Sequence, residues 1–353
     1  MAEKKHTPIA SLGQFAFVDR LCAPFAPSNP STVKGCGDDA AVIDAGDKYM
    51  LFTTDLLLEG VQFDLTYFPL QHLGYKAVVA GISDILAMNG TPRQVTLALG
   101  ISSRFSVETV EQLYEGVRYA CRDYKVDLAG GDTSASVNGL TIAVSAVGEV
   151  AKDKIVYRSG AQVNDLICVT GALGGAYMGL HLLEREKRAL DGHPNPHPKF
   201  EGYEYLLGRQ LRPSARLDII EELAKIDLVP TSMIDITDGL ASEVLHLCKD
   251  SDKGARIYLN RLPIAQQTNK MADPVVAALN GGDDFELLFT VPLARQEDIF
   301  ALGIDVIGHI TAAGSGVALV TPDDQLIPVQ APGWVVRGDE LASGEDESLA
   351  DAQ

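Results

Sequence analysis

The hydrophobic pattern changes period many times along the chain, and each change marks a short element. Residues 8 to 34 read as a helix followed by a Pro/Ser loop. Ala41–Ile43 and Lys48–Thr53 predict strands joined by a turn at Ala45-Gly46-Asp47, with Asp55 at the C-terminal end of the second. Leu70–Met88 carries Leu73, Ala77, Val78, Gly81, Ile82, Ile85 and Leu86 at helical spacing. Gln94–Gly100 predicts a strand and Val107–Cys121 an amphipathic helix carrying Tyr114. Val126–Ala129 is a short strand emptying into Gly130-Gly131-Asp132-Thr133, and Leu140–Gly148 is another strand.

Beyond a charged connector, Ala151–Asn164, the alternation resumes. Asp165–Thr170 reads as a buried strand, and Gly171-Ala172-Leu173-Gly174-Gly175 opens a helix reaching about Leu183; such a turn suits an anion. Glu184–Phe200 reads as a loop, and a helix starts at Pro213 and runs through Ala224. Strand Ser232–Ile236 leads into helix Leu240–Lys249, and strand Phe285–Val291 follows Gly281-Gly282-Asp283-Asp284. A final helix near Glu297 and three short strands complete the pattern. It predicts an α/β (α+β) chain of two domains, 1–150 and 151–340, with an acidic tail at 341–353.

Acidic residues stand where these elements end. Gly35-Cys36-Gly37-Asp38-Asp39-Ala40-Ala41, Thr53-Thr54-Asp55, Ser83-Asp84, Gly130-Gly131-Asp132-Thr133 and Asp235-Ile236-Thr237-Asp238-Gly239 each pair an Asp with small or hydroxyl neighbours. One Gly-Asp pair alone is an ordinary turn. Together, Asp39, Asp55, Asp84, Asp132, Asp235 and Asp238 form a set of hard oxygen ligands suited to Mg²⁺ and a polyphosphate, with oxygens of Thr53 and Thr54 beside them. Asp84 also opposes the dipole at its helix's C-terminal end, which calls for a compensating cation. Asp38 reads as support for its turn.

The net charge of −19 repels nucleic-acid backbones and anionic membranes. No apolar run is long enough to span a bilayer, and the start of the chain lacks the apolar core of a secretory signal, so a cytoplasmic location is expected. Five scattered cysteines suit a reducing compartment and argue against structural zinc. Gly35-Cys36-Gly37-Asp38-Asp39-Ala40 formally fits a dinucleotide fingerprint, but two carboxylates would face the pyrophosphate. There is no G-x-x-x-x-G-K-[ST], so this is not a P-loop protein, and with no G-x-S-x-G, no H-E-x-x-H and no Cys beside a credible base no covalent nucleophile is expected. Arg158 reads as a solvated side chain or a phosphate clamp. Tyr114 is helix packing or an adenine contact, and Trp334 caps a core or stacks on a flat cationic ring.

The order of the motifs carries a resemblance. Gly37-Asp38-Asp39-Ala40-Ala41-Val42, Thr53-Thr54-Asp55, Ile82-Ser83-Asp84-Ile85-Leu86-Ala87-Met88, Gly130-Gly131-Asp132-Thr133, Arg158-Ser159-Gly160-Ala161, Ile234 to Leu240 and Gly281 to Leu287 together resemble bacterial thiamine-monophosphate kinase, from about residue 12 to residue 336. The resemblance implies the fold of the aminoimidazole ribonucleotide synthetase superfamily, with N-terminal domains pairing across a homodimer. It implies that ATP donates its γ-phosphoryl group to thiamine monophosphate, with Mg²⁺ as cofactor. It makes Asp39, Asp55, Asp84, Asp132, Asp235 and Asp238 metal ligands, with Thr53 and Thr54 beside them. Tyr114, Gly131, Asp132, Arg158 and Thr237 become ATP contacts; Asp283 and Trp334 fall where the family contacts thiamine phosphate.

Three departures stand out. Gln62 occupies a position where the family commonly has a substrate-contacting His, Asp283 replaces the usual Glu, and Asn89 is an extra residue after Met88. The rival readings are another ATP-using member of the superfamily (aminoimidazole ribonucleotide synthetase, selenophosphate synthetase or the hydrogenase maturation protein) and a non-catalytic Mg-nucleotide-binding regulator.

Overall fold

A computed structural model describes residues 11, 12, 14–193 and 197–331. Trp334 and the acidic tail lie outside the described residues. Helix α1 (Gln14–Cys22) precedes strands β1 (Thr32–Lys34), β2 (Ala41–Asp44) and β3 (Lys48–Leu58). There follow α2 (Leu70–Ala87), β4 (Thr91–Ile101), α3 (Val107–Tyr124), β5 (Asp127–Ala135) and β6 (Leu140–Ala151). The strands form one sheet in the order β1-β2-β3-β6-β4-β5, antiparallel except for the β4–β5 pair.

Two strands run further than the sequence pattern predicts. Asp55 lies inside β3, not at its end, because pairing with β6 continues to Leu58↔Thr141. Likewise β5 does not empty into the Gly-Gly-Asp-Thr turn; it carries those residues within it as far as Ala135. The register shift between Val95 and Thr96 absorbs the irregularity, and a Cβ on Gly131 would fall 1.8 Å from Leu97 O. Glycine there is required by backbone approach, whatever else it does.

Period-two alternation gives β3 one buried and one open face. Leu51, Thr53, Asp55 and Leu57 point toward α2, while Met50, Phe52, Thr54 and Leu56 point away and are exposed. Helix α2 is apolar nearly all round, as a helix enclosed on several sides must be. Its contact with α3 is unusually close: a Cβ on Gly74 would lie 2.0 Å from Leu113 O, and one on Gly116 1.8 Å from Gln71 O. Gly116→Ala should therefore force the helices apart and destabilise the protein by about 1–3 kcal/mol, read from the urea midpoint at unchanged m-value.

The second half contains β7 (Leu166–Val169), α4 (Gly175–Leu190), α5 (Glu204–Leu211), α6 (Leu217–Lys225), β8 (Ser232–Ile236) and α7 (Leu240–Ser251). It continues with β9 (Gly254–Tyr258), α8 (Gln266–Asn269), α9 (Pro274–Asn280), β10 (Glu286–Val291), α10 (Gln296–Ala301), β11 (Asp305–Thr311), β12 (Val317–Val320) and β13 (Leu326–Pro328). The sheet order is β13-β12-β9-β11-β7-β10-β8. Helix α4 extends to Leu190 across residues expected to be loop, where buried Glu186 accepts from Arg185 Nη2 and Lys199 N; α6 starts only at Leu217, after Pro213. Helix α5 was not expected at all. A continuous core joins the halves: Leu73, Ile82 and Ile85 of α2 belong to the same cluster as Met233, Phe285 and Phe289. The α2 helix thus packs on both the first sheet and β8.

Candidate functional site

Four carboxylates meet where α2 passes between the sheets. Asp39 ends the glycine turn before β2, Asp55 projects inward from β3, Asp84 sits in the last turn of α2, and Asp235 lies on β8. Oxygens of Asp39, Asp84 and Asp235 all lie within 4.8 Å of one another. Neighbouring side chains hold them in place. Thr53 Oγ1 donates to Asp84 Oδ2 and Ser83 Oγ to Asp235 Oδ2, each at 2.5 Å. Arg158 is not solvated: its Nε and Nη2 donate to Asp39 Oδ1 at 2.9 and 2.5 Å. Asp38 accepts backbone N–H bonds from Asp39 and Arg158 through Oδ1, so it supports the turn.

Such crowding has an electrostatic signature. Burial pushes the Asp39 carboxyl up to about 8, the adjacent Arg158 guanidinium working against the shift and Asp235 with it. Burial and then the Asp235 charge raise Asp55 to about 7. Asp84 rises well above its usual range through burial and through Asp55, Asp235 and Asp39 in turn. Asp235 is raised by burial, with the Ser83 hydroxyl and Arg158 opposing. The buried Oδ2 atoms of Asp39 and Asp55 have no hydrogen-bond partner among the described residues. Unpaired buried carboxylate oxygens are costly, and a hard divalent cation is the group that would satisfy them. Asp39, Asp55, Asp84 and Asp235 therefore fit Mg²⁺.

Other predicted residues take different places. Thr54 lies on the opposite face of β3, where its hydroxyl donates to Val144 O. Asp132 pairs in the row of Ala98, Ala143 and Leu56, on that same open face, three strands from β3. At about 4.8 Å per strand this is roughly 14 Å away. A single chain does not bring either side chain to the cluster, because the pleat sends adjacent residues to opposite faces. Thr237 and the exposed Asp238 follow β8 at the rim of the site. Asp238 is exposed as a residue, but partial desolvation of its carboxyl at the rim, then the charges of Asp235 and Asp283, raise it. Gln62 Oε1 accepts from Leu58 N, closing its own turn. Tyr114, half-buried on α3, lines an open groove of about 710 Å³ with Glu111, Arg118 and Leu128, and none of the clustered aspartates borders that groove.

Sequence reasoning missed Lys76. It is 1 % exposed, and its Nζ donates to Asp283 Oδ2 at 2.7 Å. The available signal was a lysine three residues after Leu73 on an apolar helix. It also missed Glu243, buried in the first turn of α7, whose Oε1 accepts from Asp238 N at 2.9 Å. The expected anion site before α4 is also corrected. The glycine turn before α4 is taken by an internal anion: Asp284 Oδ2 accepts from Gly174 N at 2.7 Å and Oδ1 from Ala176 N at 3.5 Å. Buried Asp284 and Glu286 are in turn paired with Arg209 and Arg216.

The family of AIR synthase related proteins matches residues 37–150 through its N-terminal domain. The thiamine-monophosphate kinase of Aquifex aeolicus (strain VF5) is 33% identical over 315 residues, 88% of this chain and 94% of that protein. The chain belongs to the thiamine-monophosphate kinase family. The thiamine-monophosphate kinase of Escherichia coli (strain K12) is 34% identical over 321 residues, 87% of this chain and 93% of that one. A solved structure of AaThiL complexed with AMPPCP and TMP matches with a TM-score of 0.81 at 31% identity, covering 94% of this chain and 99% of that chain. The two-sheet α/β architecture is thus the family's AIR-synthase-like fold. The hydrogenase maturation protein HypE in complex with ATP matches at a TM-score of 0.66 with 17% identity, a likeness of fold alone. Among the described residues no helix is long and apolar enough to cross a membrane.

Proposed function

We propose that this chain phosphorylates thiamine monophosphate to thiamine diphosphate by direct, in-line transfer of the ATP γ-phosphoryl group, with several Mg²⁺ ions held by Asp39, Asp55, Asp84 and Asp235. Kinase activity follows from family membership and from the relative complexed with AMPPCP, an ATP analogue, and TMP. The observation that carries the finer reading is the convergence of Asp39, Asp84 and Asp235, with unpaired buried oxygens on Asp39 and Asp55. Bound Mg²⁺ would neutralise the phosphates and the charge developing between them.

The chain's own groups bind and orient. Thr53 and Ser83 hold two of the carboxylates by hydroxyl donation. Arg158 is kept at the cluster's edge by Asp39, where its planar guanidinium suits a phosphate. Thr237, Gly131 and Tyr114 belong to the nucleotide side of the reading, and Asp283, Gln62 and Trp334 to the thiamine side. The acceptor oxygen is already anionic, so no strong base and no covalent enzyme intermediate are required.

Pairing of two copies through the open face of the first sheet fits the exposed Met50, Phe52 and Leu56 found there. It would also bring Asp132 and Thr54 into an interface. A cytoplasmic setting suits the free cysteines, and a chain of net charge −19 is a poor ligand for nucleic acid or anionic membranes. The residue groups 1–150 and 151–340 are read as the nucleotide-binding domain and the domain closing over it.

An ADP-release assay with thiamine monophosphate, thiamine and aminoimidazole precursors as alternative acceptors tests the function. Turnover is expected with thiamine monophosphate. Turnover only with thiamine would keep the kinase and change the acceptor; release at background with all three would leave the regulator reading.

A further inference from the structure

We propose that Lys76 is a positioning residue for the acceptor side of the site: its buried ammonium on α2 holds the carboxylate of Asp283, and with it the loop that receives thiamine monophosphate. The inference rests on the reading of Asp283 as a thiamine-phosphate contact and adds the residue that sets it.

A lysine is almost never enclosed without a reason, because burying an ammonium is costly unless it is paired. The Lys76 side chain is 2 % exposed, whereas that of its partner Asp283 is 31 % exposed. The cation is therefore the fixed member and the carboxylate faces the opening. The other surroundings of Nζ complete its enclosure: Gln210 O lies at 3.4 Å and the Phe68 ring centroid at 5.4 Å. Carboxylate, carbonyl and ring together account for the ammonium, so it serves as an anchor for Asp283 and not as a phosphate donor itself.

The Asp283 end is equally constrained. Its backbone stands at φ +64°, the left-handed region that few side chains adopt. Its N–H donates to Thr237 O at 2.9 Å, and a Cβ on the preceding Gly282 would meet that same oxygen at 2.5 Å. The loop is therefore pressed against the segment following β8, and the Lys76 bond supplies its only charged tie to α2 among the described residues. Ser83 lies two turns along the same helix face from Lys76, about 10 Å by helix rise, and Asp84 follows it. One rigid helix thus spaces the metal carboxylates from the acceptor loop.

Lys76→Met keeps the apolar stem and removes the charge. The expected result is a KM for thiamine monophosphate raised about ten- to a hundredfold, with KM for ATP within about twofold of the wild type, since a charged hydrogen bond is lost only on the acceptor side. The Lys76→Met/Asp283→Asn double variant should be little worse than Asp283→Asn alone, because Lys76 acts through Asp283. Thermal melting with and without MgATP checks folding and nucleotide binding in each variant. An unchanged KM for thiamine monophosphate in folded Lys76→Met overturns the proposal, as do equal losses for both substrates. If the wild type itself does not phosphorylate thiamine monophosphate, the reading of the function fails instead, and the wild-type assay shows this without any variant.

Discussion

Asp55→Asn should lower turnover with thiamine monophosphate by at least about a hundredfold while leaving the fold intact. The argument lies in the strand. Asp55 projects from the middle of an eleven-residue strand paired along its length with β6, so the amide can occupy the same position without disturbing the ladder. Its buried Oδ2 has no hydrogen-bond partner among the described residues, so the substitution breaks no bond to that oxygen. What the substitution removes is one negative ligand facing Asp235 and Asp84. ADP release should therefore collapse, and at pH 8, where the Asp55 carboxyl is ionised, the metal-free melting temperature should rise as the repulsion is relieved. Wild-type-like turnover would sink the metal assignment.

Stability without divalent cation should fall as pH rises from about 5 to 8, the reverse of the usual behaviour of paired carboxylates. The sign follows from proton binding. In the folded protein burial and the neighbouring charges push Asp39 up to about 8 and Asp55 up to about 7, against 3.8 for an ordinary Asp carboxyl. Between those values the folded state retains protons that the unfolded chain has released, so raising the pH favours unfolding. Each unit of upward shift corresponds to about 1.4 kcal/mol, so a loss on the order of a few kcal/mol is expected across the window. Saturating Mg²⁺ binds the deprotonated carboxylates and should raise the melting temperature more at pH 8 than at pH 6. Melting curves in EDTA and in Mg²⁺ at both pH values give the comparison. A flat metal-free profile, or equal Mg²⁺ effects at the two pH values, would mean that the cluster does not hold the cation.

Much of this cluster was legible in the sequence because its members advertise themselves locally. Asp39 follows glycines, Asp84 offends a helix dipole, and Asp235 interrupts a buried strand. The helical period of Leu70–Met88 likewise identified α2 almost to the residue. What could not be read is which face of an element a residue occupies once a neighbour extends it. Thr54 follows Thr53 directly, yet pairing with β6 through that point sends their hydroxyls to opposite sides. Asp132 was displaced by the same effect, since β5 stays extended through Gly130 and Gly131 alongside β4. Arg158 and Asp39 stand 119 residues apart, and no local pattern announces their ion pair. The carboxylate filling the turn before α4 comes from a loop more than a hundred residues later, so the turn looked ready for an external phosphate.

The mutual insertion of Gly74 and Gly116 has a mechanical consequence. Two helices whose backbones touch at both glycines have no side-chain cushion to deform, so α2 and α3 cannot slide or roll past one another without separating. The helix that carries Lys76 and Asp84 is thereby clamped to α3 as well as packed on the first sheet. The Ser83–Asp235 and Lys76–Asp283 bonds tie the second half to that same clamped helix.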